Sequence, residues 1–197
     1  MRTAPMLKNG DYSLVFEPPI AEIEYVKSLK EKLESKIGWY HSCNSFAHIT
    51  IASFKVNEKK SLDKIIPYLS EIAPYEMEIP VRFNSVDSFV NGVVYLKPDK
   101  KSEELLKVSM SRINKQLKFK FNFQFEFSST PHLTIARGLN HDQVQLALNL
   151  FKQVSILEFS CNCFTLRTLG SQQFVSIQKF PFLGWPPKPP DQLSLAL

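Results

Sequence analysis

His48-Ile49-Thr50-Ile51-Ala52 is matched by His132-Leu133-Thr134-Ile135-Ala136, 84 residues further along and different only at the second of the five positions. The pattern suits an extended strand, on which alternate side chains point to opposite faces. His48 and Thr50 then share one face and Ile49 and Ile51 the other, just as His132 and Thr134 oppose Leu133 and Ile135. Each apolar pair can bury under a helix, which leaves the polar pair facing outward or into a groove. Two such copies in one chain read as a duplicated lobe, each supplying one equivalent strand.

Periodicity on either side of the repeat supports that reading. Ahead of the first copy, Asp11 to Phe16 is a short strand stopped by Glu17-Pro18-Pro19, and Ile20, Ile23, Val26, Leu29, Leu33 and Ile37 form a helical stripe ending at Gly38. The motif strand runs over Ala47 to Phe54. A second amphipathic stretch covers Asn57 to Ile72 through Leu62, Ile65, Ile66 and Leu69, with Pro67 expected to kink or shorten it. Glu78 to Phe89 and Gly92 to Leu96 are extended and joined through Asn91-Gly92, a hairpin signal. Asp99 suits the cap of a helix whose stripe is Leu106, Met110, Ile113 and Leu117. Phe119, Phe121, Phe123, Phe125 and Phe127 alternate with polar residues as in a strand.

The second motif strand spans His132 to Arg137, and Asn140 with Gln143 forms a capping-box signature before the helix of Val144, Ala147, Leu148 and Phe151. Ser155 to Leu166 and Gln172 to Phe180 close the chain as a strand pair. Residues 181–197 hold five of the 13 prolines and read as an extended arm. Strands alternating with helices, with antiparallel hairpin signals, define an α+β class. The expected architecture is two pseudo-symmetric lobes, each a sheet with flanking helices, facing a central cleft. Residues 1–180 form that bilobal domain and 181–197 the tail.

With 197 residues the chain can hold one domain or two compact lobes. The 24 basic against 19 acidic residues leave a net charge of +5, which favours an anionic partner. Six glycines and no Gly-rich phosphate loop argue against a doubly wound nucleotide-binding fold. Cys43, Cys161 and Cys163 are odd in number, and the last two read as neighbours on one strand face. With no secretory signal and no membrane-length apolar run, the reading is a reduced, soluble, cytoplasmic protein.

If a pseudo-twofold axis relates the lobes, the two polar faces oppose each other around one small anion. Of the two imidazoles, one neutral and one protonated, the first can accept a proton from an attacking oxygen while the second donates to the leaving oxygen. The threonine hydroxyls can donate to non-bridging oxygens. No Asp or Glu stands at ligand spacing in either motif, so neither a metal nor another cofactor is expected. His41, in a loop, and His141, in the first turn of a helix, are weaker candidates. Phe46 and Phe54, with Tyr40 beside them, offer faces on which a nucleobase could stack, core packing being their ordinary alternative.

At these residues the sequence resembles the 2H phosphoesterase superfamily, and most closely its 2′-5′ RNA ligase-like members, which carry one His-x-Thr motif per lobe. The resemblance covers about residues 10 to 180. It implies metal-independent chemistry on 2′,3′-cyclic phosphates of RNA ends or cyclic nucleotides, and in some members reversible 2′-5′ ligation. His48 and His132 match the catalytic pair, and Thr50 and Thr134 the substrate-binding pair. Arg137 follows the second motif as in ligase-like members. Strict alternation aims it with Leu133 and Ile135, so a strand end or bulge is needed to bring it to a phosphate. The expected protein is a monomer that contacts no membrane. A non-catalytic module holding an RNA end or nucleotide in the same cleft is the alternative.

Overall fold

A computed structural model describes residues 10–56, 59–169 and 174–186. The elements run β1 (Gly10–Phe16), α1 (Ile20–Ile37), β2 (Ile49–Val56), α2 (Lys59–Ile72), a 3-10 turn (Ala73–Tyr75), β3 (Ile79–Phe89), β4 (Val93–Pro98), α3 (Lys100–Lys120), β5 (Gln124–Phe127), β6 (Leu133–Ala136), α4 (His141–Leu150), β7 (Leu157–Cys161), β8 (Cys163–Leu169) and β9 (Phe174–Pro181). They build two antiparallel sheets, one ordered β5-β2-β1-β8-β9 and the other β6-β4-β3-β7. The duplication is visible in the topology. β1-α1-β2-α2 and β4-α3-β6-α4 are equivalent, and in each the motif strand lies antiparallel to the strand that precedes its helix.

The helices join the lobes as well as cover them. α1 packs against β6 and α4, and α3 covers β3 and β4 while reaching β2. Ile23, Val26, Leu29 and Leu33 bury the inner face of α1, while Ile20 at its start is 80% exposed. Gly38 takes φ 77° and returns its N–H to the Glu34 carbonyl at 2.8 Å, closing the helix. Asp99 caps α3 by accepting from the Ser102 N–H at 2.8 Å, and Asn140 and Gln143 form the reciprocal box that starts α4. α2 runs through Pro67 without interruption, because Pro67 lies on the exposed face, where the carbonyl it leaves without an N–H partner can be hydrated. Asn57 and the Leu62 side chain fall outside the described residues.

Three expectations are corrected. Phe119 is helical and 93% exposed, because Ile113, Leu117 and Phe121 continue a four-residue stripe that carries α3 up to Phe121. Only Gln124 to Phe127 pair as a strand, although the rings of Phe121, Phe123, Phe125 and Phe127 do lie in succession, stacked at both ends and tilted between Phe123 and Phe125. The segment Ser155 to Leu166 is not one strand: it breaks at Asn162, β7 pairing with β3 and β8 with β1. Cys161 and Cys163 therefore sit in different sheets, and all three cysteines are free thiols. The start of the expected arm is anchored. Phe182 donates its N–H to the Asn162 carbonyl, Gly184 to Glu76 and Trp185 to Pro74, at 2.8, 3.0 and 2.9 Å; residues 187–197 lie outside the described part.

The β3–β4 hairpin closes over Val90, Asn91 and Gly92, with the Gly92 N–H on the Phe89 carbonyl at 3.1 Å and φ 77° at Gly92. Its carbonyl accepts from the Leu139 N–H at 3.1 Å. The turn thus rests directly on the chain leaving the second motif.

Candidate active site

Both motif strands carry a β-bulge at the same residue. Leu14 pairs with Ala52 and Val15 with Thr50, so Ile51 has no partner; Val94 pairs with Ala136 and Tyr95 with Thr134, which leaves out Ile135. The extra residue resets the alternation. Beyond the bulge, the face that holds the threonine passes to the residue three places later, Ser53 in the first copy and Arg137 in the second. Thr50, Ser53, Thr134 and Arg137 all line one cavity of about 230 Å³. The bulge supplies the turn that Arg137 needed.

The same shift explains Phe54. Without the bulge it would share the Thr50 face. Instead it is 3% exposed and packs among the rings of Tyr12, Phe123 and Phe125. Tyr40 is also removed from the cavity: it is 6% exposed and its hydroxyl donates to the Lys30 carbonyl at 3.1 Å, bracing α1. Neither ring is available to a base. Phe46, 49% exposed, does line the cavity, as does His41.

The two motif histidines are held alike. Nδ1 of His48 lies 2.8 Å from the Phe46 carbonyl, and Nδ1 of His132 lies 2.8 Å from the Thr130 carbonyl. A carbonyl only accepts, so each Nδ1 carries the proton and each neutral ring presents an unprotonated Nε2. His48 belongs to the cavity wall. His132 stands at the start of β6, outside the lining residues, with its ring against Phe89 and Tyr95 at centroid distances of 5.2 and 5.1 Å.

Positive charge surrounds this region. Burial first, then the fields of Arg167, Arg137 and Lys30, hold the His48 imidazole far below its ordinary range against the opposing Phe46 hydrogen bond. Burial and Arg137 lower His132 as well. Lys30, 1% exposed on α1, donates to the Ser42 carbonyl at 3.0 Å and to Ser45 Oγ at 2.9 Å, and burial and Arg137 push it down to about 8. Ser13 and Ser42 line the cavity with buried hydroxyls that have no hydrogen-bond partner among the described residues. Cations and unspent hydroxyl donors around a small cavity form a receptor for an oxyanion.

Arg167, Ser13 and Lys30 escaped the sequence reading. Arg167 pairs across the sheet with Ser13, and Ser13 with Ser53, so one row crosses β8, β1 and β2 into the cavity. The available signal was an arginine between Leu166 and Thr168, on the face opposite Phe164 and Leu166. Lys30 gave none, since it reads as an ordinary polar position beside the α1 stripe.

The lowered histidines have a consequence for stability. Below about pH 6.5 the unfolded chain binds protons that the folded imidazoles refuse. The contribution is therefore complete above that pH and is lost as pH falls through it. Urea midpoints are expected to drop between about pH 7.5 and pH 5, and His48→Ala is expected to flatten that dependence.

The fold is a two-lobed α+β architecture with a cationic cavity at its repeated motifs. The family model of the 2′-5′ RNA ligase superfamily matches residues 16–172, and the chain belongs to that superfamily. Among solved structures it resembles TT0787 of Thermus thermophilus, with a TM-score of 0.60 at 15% identity over 88% of this chain and 98% of that one. It also resembles E. coli LigT complexed with 3′-AMP, with a TM-score of 0.58 at 14% identity over 89% and 99% of the two chains. Kluyveromyces marxianus Usb1 gives 0.52 at 13% identity over 88% and 99%. A search of curated proteins finds no match. Among the described residues no helix is long and apolar enough to cross a membrane.

Proposed function

We propose that the chain is a cytoplasmic, metal-independent phosphodiesterase that opens 2′,3′-cyclic phosphates at RNA or nucleotide ends. The observation that carries this reading is the matched pair of Nδ1 locks, which frees one Nε2 per motif, with His48 in the wall of a cationic cavity and His132 at the head of the strand that supplies its Thr134. That LigT is complexed with 3′-AMP in one structure and with phosphate in another supports a nucleotide phosphate as the occupant here.

In the proposed step one of the two imidazoles, His48 or His132, takes a proton from water as its oxygen bonds to phosphorus. The bond from phosphorus to one ribose oxygen breaks, and that oxygen receives the proton carried by the other imidazole, whose proton affinity a bound anion raises. Arg137, Arg167 and the Thr50 and Thr134 hydroxyls stabilise the charge that builds on the non-bridging oxygens. With a ribose 5′-hydroxyl in place of water, the same step forms a 2′-5′ linkage as the bond from phosphorus to the 3′ oxygen breaks and that oxygen takes the proton.

Incubation with the four nucleoside 2′,3′-cyclic monophosphates and a cyclic-phosphate RNA, in the presence of a chelator, tests the reading. Opened phosphate is the expected product, and its absence, or a requirement for added metal, overturns the reading. Thr50→Ala and Thr134→Ala are each expected to slow turnover roughly 10- to 1000-fold, as the loss of one oxyanion donor does. Steady-state rates on the cyclic monophosphates check this.

A further inference from the structure

A second cavity, of about 440 Å³, lies along α3 and ends on the chain that leads into the second motif. Lys107, Lys115 and Lys118 line it together with Asn114, Phe127 and Ser128. The three lysines recur at helical spacing on one face of α3. No carboxylate lines this groove, whereas the cavity beside Tyr12 includes Asp11 and Glu126 and the one beside Tyr68 includes Glu71 and Glu76. Lys107 is paired with Glu103, while Lys115 and Lys118 are exposed and have no ion-pair partner among the described residues. Asn114 adds a buried Oδ1 without a hydrogen-bond partner, and Phe127 presents a ring that is 37% exposed.

The groove is joined to both motifs. The Ser128 N–H donates to the Ile51 carbonyl at 3.0 Å, and its hydroxyl to the Thr130 carbonyl at 3.4 Å, the same carbonyl that holds His132 Nδ1. Ser129, also in the lining, is three residues from His132, at most about 11 Å of chain. Lysines that track a backbone, with an aromatic face and an amide between them, are what a single strand of nucleic acid requires.

We propose that this groove holds the body of a single-stranded RNA whose 3′ end occupies the active-site cavity. This rests on the reaction proposed above and assigns the surface that grips the substrate away from the reacting phosphate. The test compares a short oligoadenylate ending in a 2′,3′-cyclic phosphate with 2′,3′-cyclic AMP, in the unmodified protein and in the Lys115→Glu/Lys118→Glu variant. The variant is expected to lose at least about tenfold in kcat/KM on the RNA while staying within about twofold on cyclic AMP. Binding of the same RNA carrying a 3′-phosphate, followed by anisotropy, should show a salt slope shallower by about 1.4, two contacts at about 0.7 each.

Equal losses on both substrates, or undiminished RNA affinity, overturn the groove assignment. So does a poly-glutamate peptide that binds the unmodified protein as tightly as the RNA and is lost in the variant. Should the unmodified protein open neither substrate, the reaction falls, and the anisotropy arm still decides the groove by itself.

Discussion

Replacing either His48 or His132 by alanine is expected to lower turnover of a 2′,3′-cyclic phosphate by at least about 100-fold, within the usual range for a lost general acid or base. The rings are spent on chemistry more than on packing. Each makes a hydrogen bond to the carbonyl two residues earlier, and both are only partly buried, so alanine leaves a carbonyl that water can satisfy. The fold should survive, and circular dichroism of each variant provides the control. Because both imidazoles act in one step, the double variant should be about as slow as either single one. Parental turnover by either variant would remove the two-histidine mechanism. A double variant slower by the product of the two single effects would show that the rings contribute independently rather than as a unit.

Gly92→Ala is expected to destabilise the protein by about 3 kcal/mol, from an unfavourable positive φ combined with a steric clash. A Cβ built at Gly92 lies 2.2 Å from the Leu139 carbonyl oxygen, and backbone cannot swing aside as a side chain would. With φ at 77° the position also disfavours any L side chain. A loss of that size lowers Tm by roughly 6–12 °C in a domain of this length. Since Leu139 lies two residues beyond Arg137, relief of the clash displaces the arginine of the cavity, so kcat/KM should fall at temperatures where the variant is still folded. Differential scanning calorimetry with a rate measurement at about 20 °C checks both parts, and an unchanged Tm would mean that the hairpin does not bear on the second motif as described.

Much of the fold was legible because its signals are local. The α1 stripe, the Gly38 stop, the Asp99 cap and the Asn140–Gln143 box each need only a few neighbouring residues, and each appears where periodicity and capping chemistry put it. The duplicated pentapeptide also exposed Thr50, Thr134 and His48 as one group. What stayed hidden depends on partners distant in sequence. A bulge is a property of two strands, so no reading of β2 alone could turn Phe54 inward or bring Ser53 to the cavity. The break at Asn162 exists because β3 and β1 claim successive stretches of one apolar run. Phe119 obeyed both a period of two and the end of a helix, and the burial of Phe121 decided between them.

The crossing at Asn162 means that the amino-terminal half of the duplicated sequence does not own a complete sheet, whereas the four-stranded sheet is drawn from residues 79–161 alone. β1 and β2 come from the beginning of the chain, yet they are flanked by β5 on one side and by β8 and β9 on the other. During synthesis the amino-terminal lobe must therefore wait, edges unpaired, until nearly the last described strand has emerged from the ribosome, which exposes it to non-native strand pairing in the interval. A half-length chain could close those edges only by borrowing strands from a second copy of itself.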